Sequence, residues 1–226
     1  RLLLQDGATE TALKNAHGPS VLHIATHGFF LPNLAARHGR STDTLNASAT
    51  ARLEDPMLRS GLALAGFNAR GSARTEDDGV LTATEVAGLD LQGTELVVLS
   101  ACETGLGKTK NGEGVYGLKR AMALAGALTT AVTLWKVDDD ATAALMSAYY
   151  VRLKSGQDRV ESLRQVQIDM LSGRLTAMDK TATDQRGATV ATSEGAAPTT
   201  GQGWRHPYYW ASFTLSGADG PIQLEK

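Results

Sequence analysis

Three short stretches of the sequence lead into residues able to do covalent or electrostatic chemistry. VLHIAT (21–26) runs into His27 and Gly28. ELVVLS (95–100) runs into Ala101, Cys102 and Glu103. AVTLWKV (131–137) runs into Asp138, Asp139 and Asp140. A histidine close to a thiol can take its proton or pair with its thiolate, and the thiolate is the nucleophile. The glycine after His27 leaves a backbone N–H accessible, and the N–H of Cys102 is free to point outward. Together they make a candidate oxyanion hole, in which each donor contributes about 3 kcal/mol to the transition state. Taken singly, a free cysteine is usually a small buried hydrophobe, and a strand-terminal histidine often serves only the backbone. Both stand at strand ends flanked by turn-forming glycines, which brings the catalytic reading level with the structural one if the strands are neighbours.

The stretches that must position these residues read as strands. Each is short, apolar, rich in leucine and β-branched residues, and bounded by polar residues or glycine. Near-continuous apolarity suits the interior of a parallel sheet covered on both faces. SGLALAG (60–66) reads as a fourth strand, and YYWASFTLSG (208–217) as an edge or late strand. Helical patterns alternate with them: 113–127 with Leu118, Met122 and Ala125 on one face, and 139–154 with Leu145, Tyr149 and Leu153. A third, 158–172, opens on Asp158 and Glu161 as a capping box and stops at Gly173. This alternation predicts an α/β fold with a mostly parallel sheet and helices on both faces. Ligands of such sheets bind beyond the carboxyl ends of the strands, where His27, Cys102 and the aspartates gather.

The remainder of the chain narrows the chemistry. Its 226 residues suit a single domain, 1–226, with 42% hydrophobic and 20% charged residues. The chain starts at Arg1 rather than Met, so a fragment of a longer protein is expected. Residues 32–52 and the low-complexity insertion 179–203 are expected to be loosely held. A net charge of −2 gives no footprint for nucleic acid, and no apolar run approaches a membrane span. The single cysteine permits no internal disulfide and fits a reducing, cytoplasmic setting. No metal site is expected, since His17 and His38 are isolated. No cofactor is expected either. GLGKT (105–109) looks like the tail of a phosphate-binding loop, but that motif needs glycine at position 102, where Cys102 stands. His23 reads as a buried, hydrogen-bonded support residue, Ser100 as a stabiliser of the turn before Cys102, Trp135 as strand core, and His206 as structural.

The motifs in their order resemble those of the CHAT domain, a caspase-like domain often joined to tetratricopeptide (TPR) repeats. The resemblance is carried by VLHIATHG (21–28), SGLALAG (60–66) and GVLTATEVAGLDLQGTELVVLSACETGLG (79–107). It continues through GEGVYGLKRAMALAGA (112–127), VTLWKVDDDATAALMSAYYVRL (132–153) and HPYYWASFTLSG (206–217). It implies a three-layer α/β/α sandwich of the caspase and separase type. It maps a catalytic dyad onto His27 and Cys102, with the backbone N–H groups of Gly28 and Cys102 as oxyanion donors. The implied activity is a cysteine endopeptidase acting through an acyl-enzyme on a protein substrate, gated by a regulatory partner or a TPR-type domain. The alternative is a non-catalytic interaction module of the same fold. The acidic trio either caps a helix or walls a pocket for a basic substrate side chain, the preference of related separases. Asp139 and then Asp138 are the pocket candidates.

Overall fold

Residues 21–30 place Leu22 and Ile24 on one side of the chain and Val21 and His23 on the other. This is the two-residue alternation of a strand whose faces meet different surroundings. The computed structural model describes residues 1–31, 56–68, 77–103, 113–175 and 203–223. Residues 56, 101–103 and 113–115 are described as backbone alone. All of 32–52 and nearly all of the insertion 179–203 lie outside the described residues, as does the GLGKT run.

Six strands form one sheet: β1 (Val21–Phe30), β2 (Ser60–Ala63), β3 (Val80–Thr82), β4 (Leu96–Glu103), β5 (Thr129–Thr133) and β6 (Phe213–Gly217), in the order β3-β2-β1-β4-β5-β6. The centre is parallel, with β1 beside β4 and β4 beside β5. Both flanks run antiparallel, through β2 and β3 on one side and β6 on the other. A sheet parallel at its centre agrees with the mostly parallel reading of the apolar runs, and β6 is the edge strand expected within 208–217. β6 reaches the sheet only after the helices Asp139–Lys154 and Arg159–Ser172, and it closes the sheet beside β5 as its last strand.

Helices cover both faces. α1 (Glu10–Lys14) precedes the sheet, and α2 (Pro56–Arg59) and α3 (Ala83–Val86) flank β2 and β3. The longer helices are α4 (Glu113–Leu124), α5 (Asp139–Lys154) and α6 (Arg159–Ser172). One core joins Ile24, Val97, Leu99 and Val132 of the sheet to Leu118 and Met122 of α4. The other joins Val98, Ala131 and Phe213 to Leu145, Tyr149, Val166 and Met170 of α5 and α6. Alternate residues of β4 thus enter opposite cores, and the sandwich has three layers. No described helix is long and apolar enough to cross a membrane.

Several local expectations shift. β5 ends at Thr133, so Trp135 stands past the strand, half-buried, and its indole N–H donates to the carbonyl of Tyr208 (3.1 Å). Residues 207–209 form a short 3-10 turn capped by His206, whose Nδ1 accepts from the N–H of Tyr208 (3.1 Å). Asp158 caps α6 by position without a side-chain bond. Glu161 instead pairs with Arg164 (2.7 Å), and the first amides of α6 go to Gly220 and Asp219. The true capping box lies at α3, where Thr82 and Glu85 bond reciprocally. β3 was hidden in the GVLT stretch, since three residues are too few to show a period.

Candidate active site

β1 continues three residues past His27, and β4 runs to Glu103. Their parallel ladder pairs Val21 with Leu96 and advances in step until His27 stands opposite Cys102 and Gly28 opposite Glu103. Adjacent strands lie about 4.8 Å apart, and positions on one rung of a parallel ladder share a face of the pleat. The two candidate residues therefore share one rung at the carboxyl edge of the sheet, and His27 is exposed to solvent there. On its other side β4 pairs with β5 only as far as Leu99 opposite Val132. The last residues of β4 thus extend beyond that ladder.

Gly28 differs from expectation. It is buried within β1, opposite Leu62 of β2 and Glu103 of β4, rather than placed in a turn after the strand.

The aspartates stand after β5 at the same edge. Asp138 is the N-cap of α5, its carboxylate accepting from the N–H of Ala141 (2.8 Å). This satisfies one of the free amides of the first turn. Asp139 and Asp140 are exposed in that turn. The cap thus accounts for Asp138, and Asp139 stands exposed beside the edge with no partner among the described residues.

The same face of β1 carries His23, which the structure places in solvent contact rather than in the core. Its Nδ1 lies 2.8 Å from the Tyr150 hydroxyl of α5, and its Nε2 lies 3.2 Å from Ser100 Oγ of β4. Desolvation by the protein packed around the ring lowers the pKa of His23. Burial holds the Tyr150 hydroxyl well above its ordinary value. Sequence reading identified His23 as hydrogen-bonded support but missed Tyr150. The helical spacing of Leu145, Tyr149 and Leu153 drew attention to the residue beside it.

A cleft of about 660 Å³ opens along the first half of β1, with Leu2, Leu13, His23, Leu64 and Tyr150 among its walls. It lies where β2 no longer pairs with β1, before the His27 rung. Among the described residues, no group of three or more His, Cys, Asp or Glu side chains is placed to hold a metal ion.

No curated protein matches the chain. The family model described as the CHAT domain matches residues 1–218. The mixed sheet, parallel at its centre and covered by helices on both faces, agrees with the caspase-like fold implied by the motifs. With a match over nearly its whole length, the chain belongs to the CHAT domain family.

Proposed function

We propose that this domain is a cysteine endopeptidase with Cys102 as nucleophile and His27 as its acid–base partner. The observation that carries the reading is the register, which sets His27 and Cys102 opposite one another at the carboxyl edge of adjacent parallel strands. In the proposed reaction, the Cys102 thiolate attacks the scissile carbonyl carbon, and the charge moves to the carbonyl oxygen. The His27 imidazolium then protonates the leaving amine as the C–N bond breaks, leaving an acyl-enzyme. Neutral His27 takes a proton from water, the resulting hydroxide attacks the thioester, and the thiolate returns. The amides of Cys102 and Gly28 are the oxyanion donors of this reading.

Asp139, with Asp138 behind it at the cap, gives the edge a negative character that suits a basic substrate side chain. An aspartate before the scissile bond would be repelled there. We further propose that a partner subunit or TPR-type domain gates the site, and that it works in a reducing cytoplasm where the lone cysteine stays a thiol.

Labelling with a peptide acyloxymethyl ketone ending in Arg tests the reading, beside Cys102→Ala and His27→Ala. An adduct on Cys102 that requires His27 supports it. Absence of an adduct with Arg-, Asp-, Leu- and Met-ended probes, with and without the candidate partner, overturns it in favour of an interaction module.

A further inference from the structure

The face of the sheet that carries His27 also carries a chain of hydrogen bonds that the peptidase chemistry leaves unused. Tyr150 of α5 reaches His23 of β1 (2.8 Å), and His23 reaches Ser100 of β4 (3.2 Å). Three separate elements meet in this chain. Its second link is oblique, because His23 pairs across the ladder with Val98, whereas Ser100 pairs with Ala25. A bond slanted across two rungs ties the strands together along their length as well as across it. Ser100 stands two residues before Cys102 on the same strand, about 7 Å along it.

The direction of the protons follows from chemistry. A phenol is a good donor and a poor acceptor, and an unprotonated imidazole nitrogen is a good acceptor. Tyr150 keeps its proton, since burial raises its pKa, and donates to Nδ1. The remaining ring proton is then on Nε2 and donates to Ser100 Oγ. Desolvation favours this neutral ring over the imidazolium. Ser100 therefore accepts from His23 and does not lose its proton to it. The trio is a strut between strands, distinct from an activated serine nucleophile.

We propose that Tyr150, His23 and Ser100 are positioning residues that lock β4 against β1 and α5 and so set the His27–Cys102 rung. The proposal rests on the peptidase reading of that rung. α5 is a suitable anchor because it is pinned by its own core, where Leu145, Tyr149 and Leu153 are buried. The same helix begins at the aspartates, so the strut joins both parts of the candidate site to one rigid element.

The test is the pH–rate profile for alkylation of Cys102 by the Arg-ended acyloxymethyl ketone, in wild type, Tyr150→Phe, Ser100→Ala and Ser100→Thr. It is paired with ¹⁵N imidazole spectra of His23. In wild type, His23 should be a neutral Nε2–H tautomer at neutral pH. Tyr150→Phe and Ser100→Ala should each slow labelling about tenfold. They should also move the acid limb of the profile to higher pH, because a displaced imidazolium stabilises the thiolate less. Ser100→Thr, which keeps the hydroxyl, should restore both. General destabilisation would scale the rate without moving the limb, and melting curves on the same samples check for it. Variants that label at the wild-type rate with an unmoved limb overturn the proposal alone, as does an Nδ1–H tautomer at His23. A wild type whose Cys102 never labels overturns the peptidase reading and takes the proposal with it.

Discussion

Glu95, just before β4, receives the guanidinium of Arg159 at 2.5 Å, and Arg159 is the first residue of α6. The pair is well shielded, with side chains 4% and 16% exposed for Arg159 and Glu95. Arg159 also donates to the carbonyls of Asp219 (3.0 Å) and Gly220 (3.3 Å), and Glu95 accepts from the N–H of Gln223 (3.0 Å). Removing one partner strands the other charge in a poorly hydrated place, a loss of about 3–5 kcal/mol for a buried pair. Water still reaches Glu95, so Arg159→Met should fall at the lower end, near 3 kcal/mol. Glu95→Gln should cost about as much, because the guanidinium it leaves is the more buried of the two. The double variant leaves no stranded charge and should cost about 3 kcal/mol rather than the additive 6, a coupling of roughly 3 kcal/mol. For a domain of this size, each single variant should melt about 6–12 °C below wild type. Urea unfolding of the four proteins closes the cycle. Additivity within about 0.5 kcal/mol, or an Arg159→Met loss under about 1 kcal/mol, would refute the claim that this pair binds β4 to α6.

Other perturbations follow from single observations. His23 has its pKa lowered from 6.5 by desolvation, so between that lowered value and 6.5 the fold binds fewer protons than the unfolded chain. Its contribution to stability is complete above 6.5 and is lost as pH falls below it. A His23→Gln variant should show a flatter urea midpoint than wild type between about pH 5 and 7, and equal slopes would contradict this. The Tyr149 hydroxyl is buried without a hydrogen-bond partner among the described residues, so Tyr149→Phe should be neutral or stabilising by up to about 1 kcal/mol. A clear loss in melting temperature would disprove that. Gly79 adopts φ 78°, and a Cβ there would meet the backbone N of Phe67 at 2.1 Å. Its N–H also feeds the buried carboxylate of Glu10 (2.8 Å). Gly79→Ala should therefore cost roughly 3 kcal/mol or more in chemical denaturation, and a near-neutral result would show that the turn can rearrange.

The parts legible in the sequence are those governed by local chemistry. The apolar runs at 21–26 and 95–100 announced strands because only a sheet covered on both faces can bury such runs. The helix at 139–154 was readable because Asp138 stops the strand pattern and caps the helix pattern, and its buried face repeats at four-residue spacing. His27 and Cys102 were visible as residue types at strand ends. The relations between distant segments were decided only in the folded chain. Nothing local to 21–30 states that β1 will run past His27, since that extension is stabilised by pairing with β2, some thirty residues on. The antiparallel flanks likewise depend on β2, β3 and β6, segments too short to carry a direction in their own pattern. Tyr150 finds His23 across 127 residues, on a helix turn whose spacing advertises only its buried neighbour. The rung that joins His27 to Cys102 is of this second kind: residue chemistry nominates the two, and hydrogen-bond register between strands 75 residues apart brings them together.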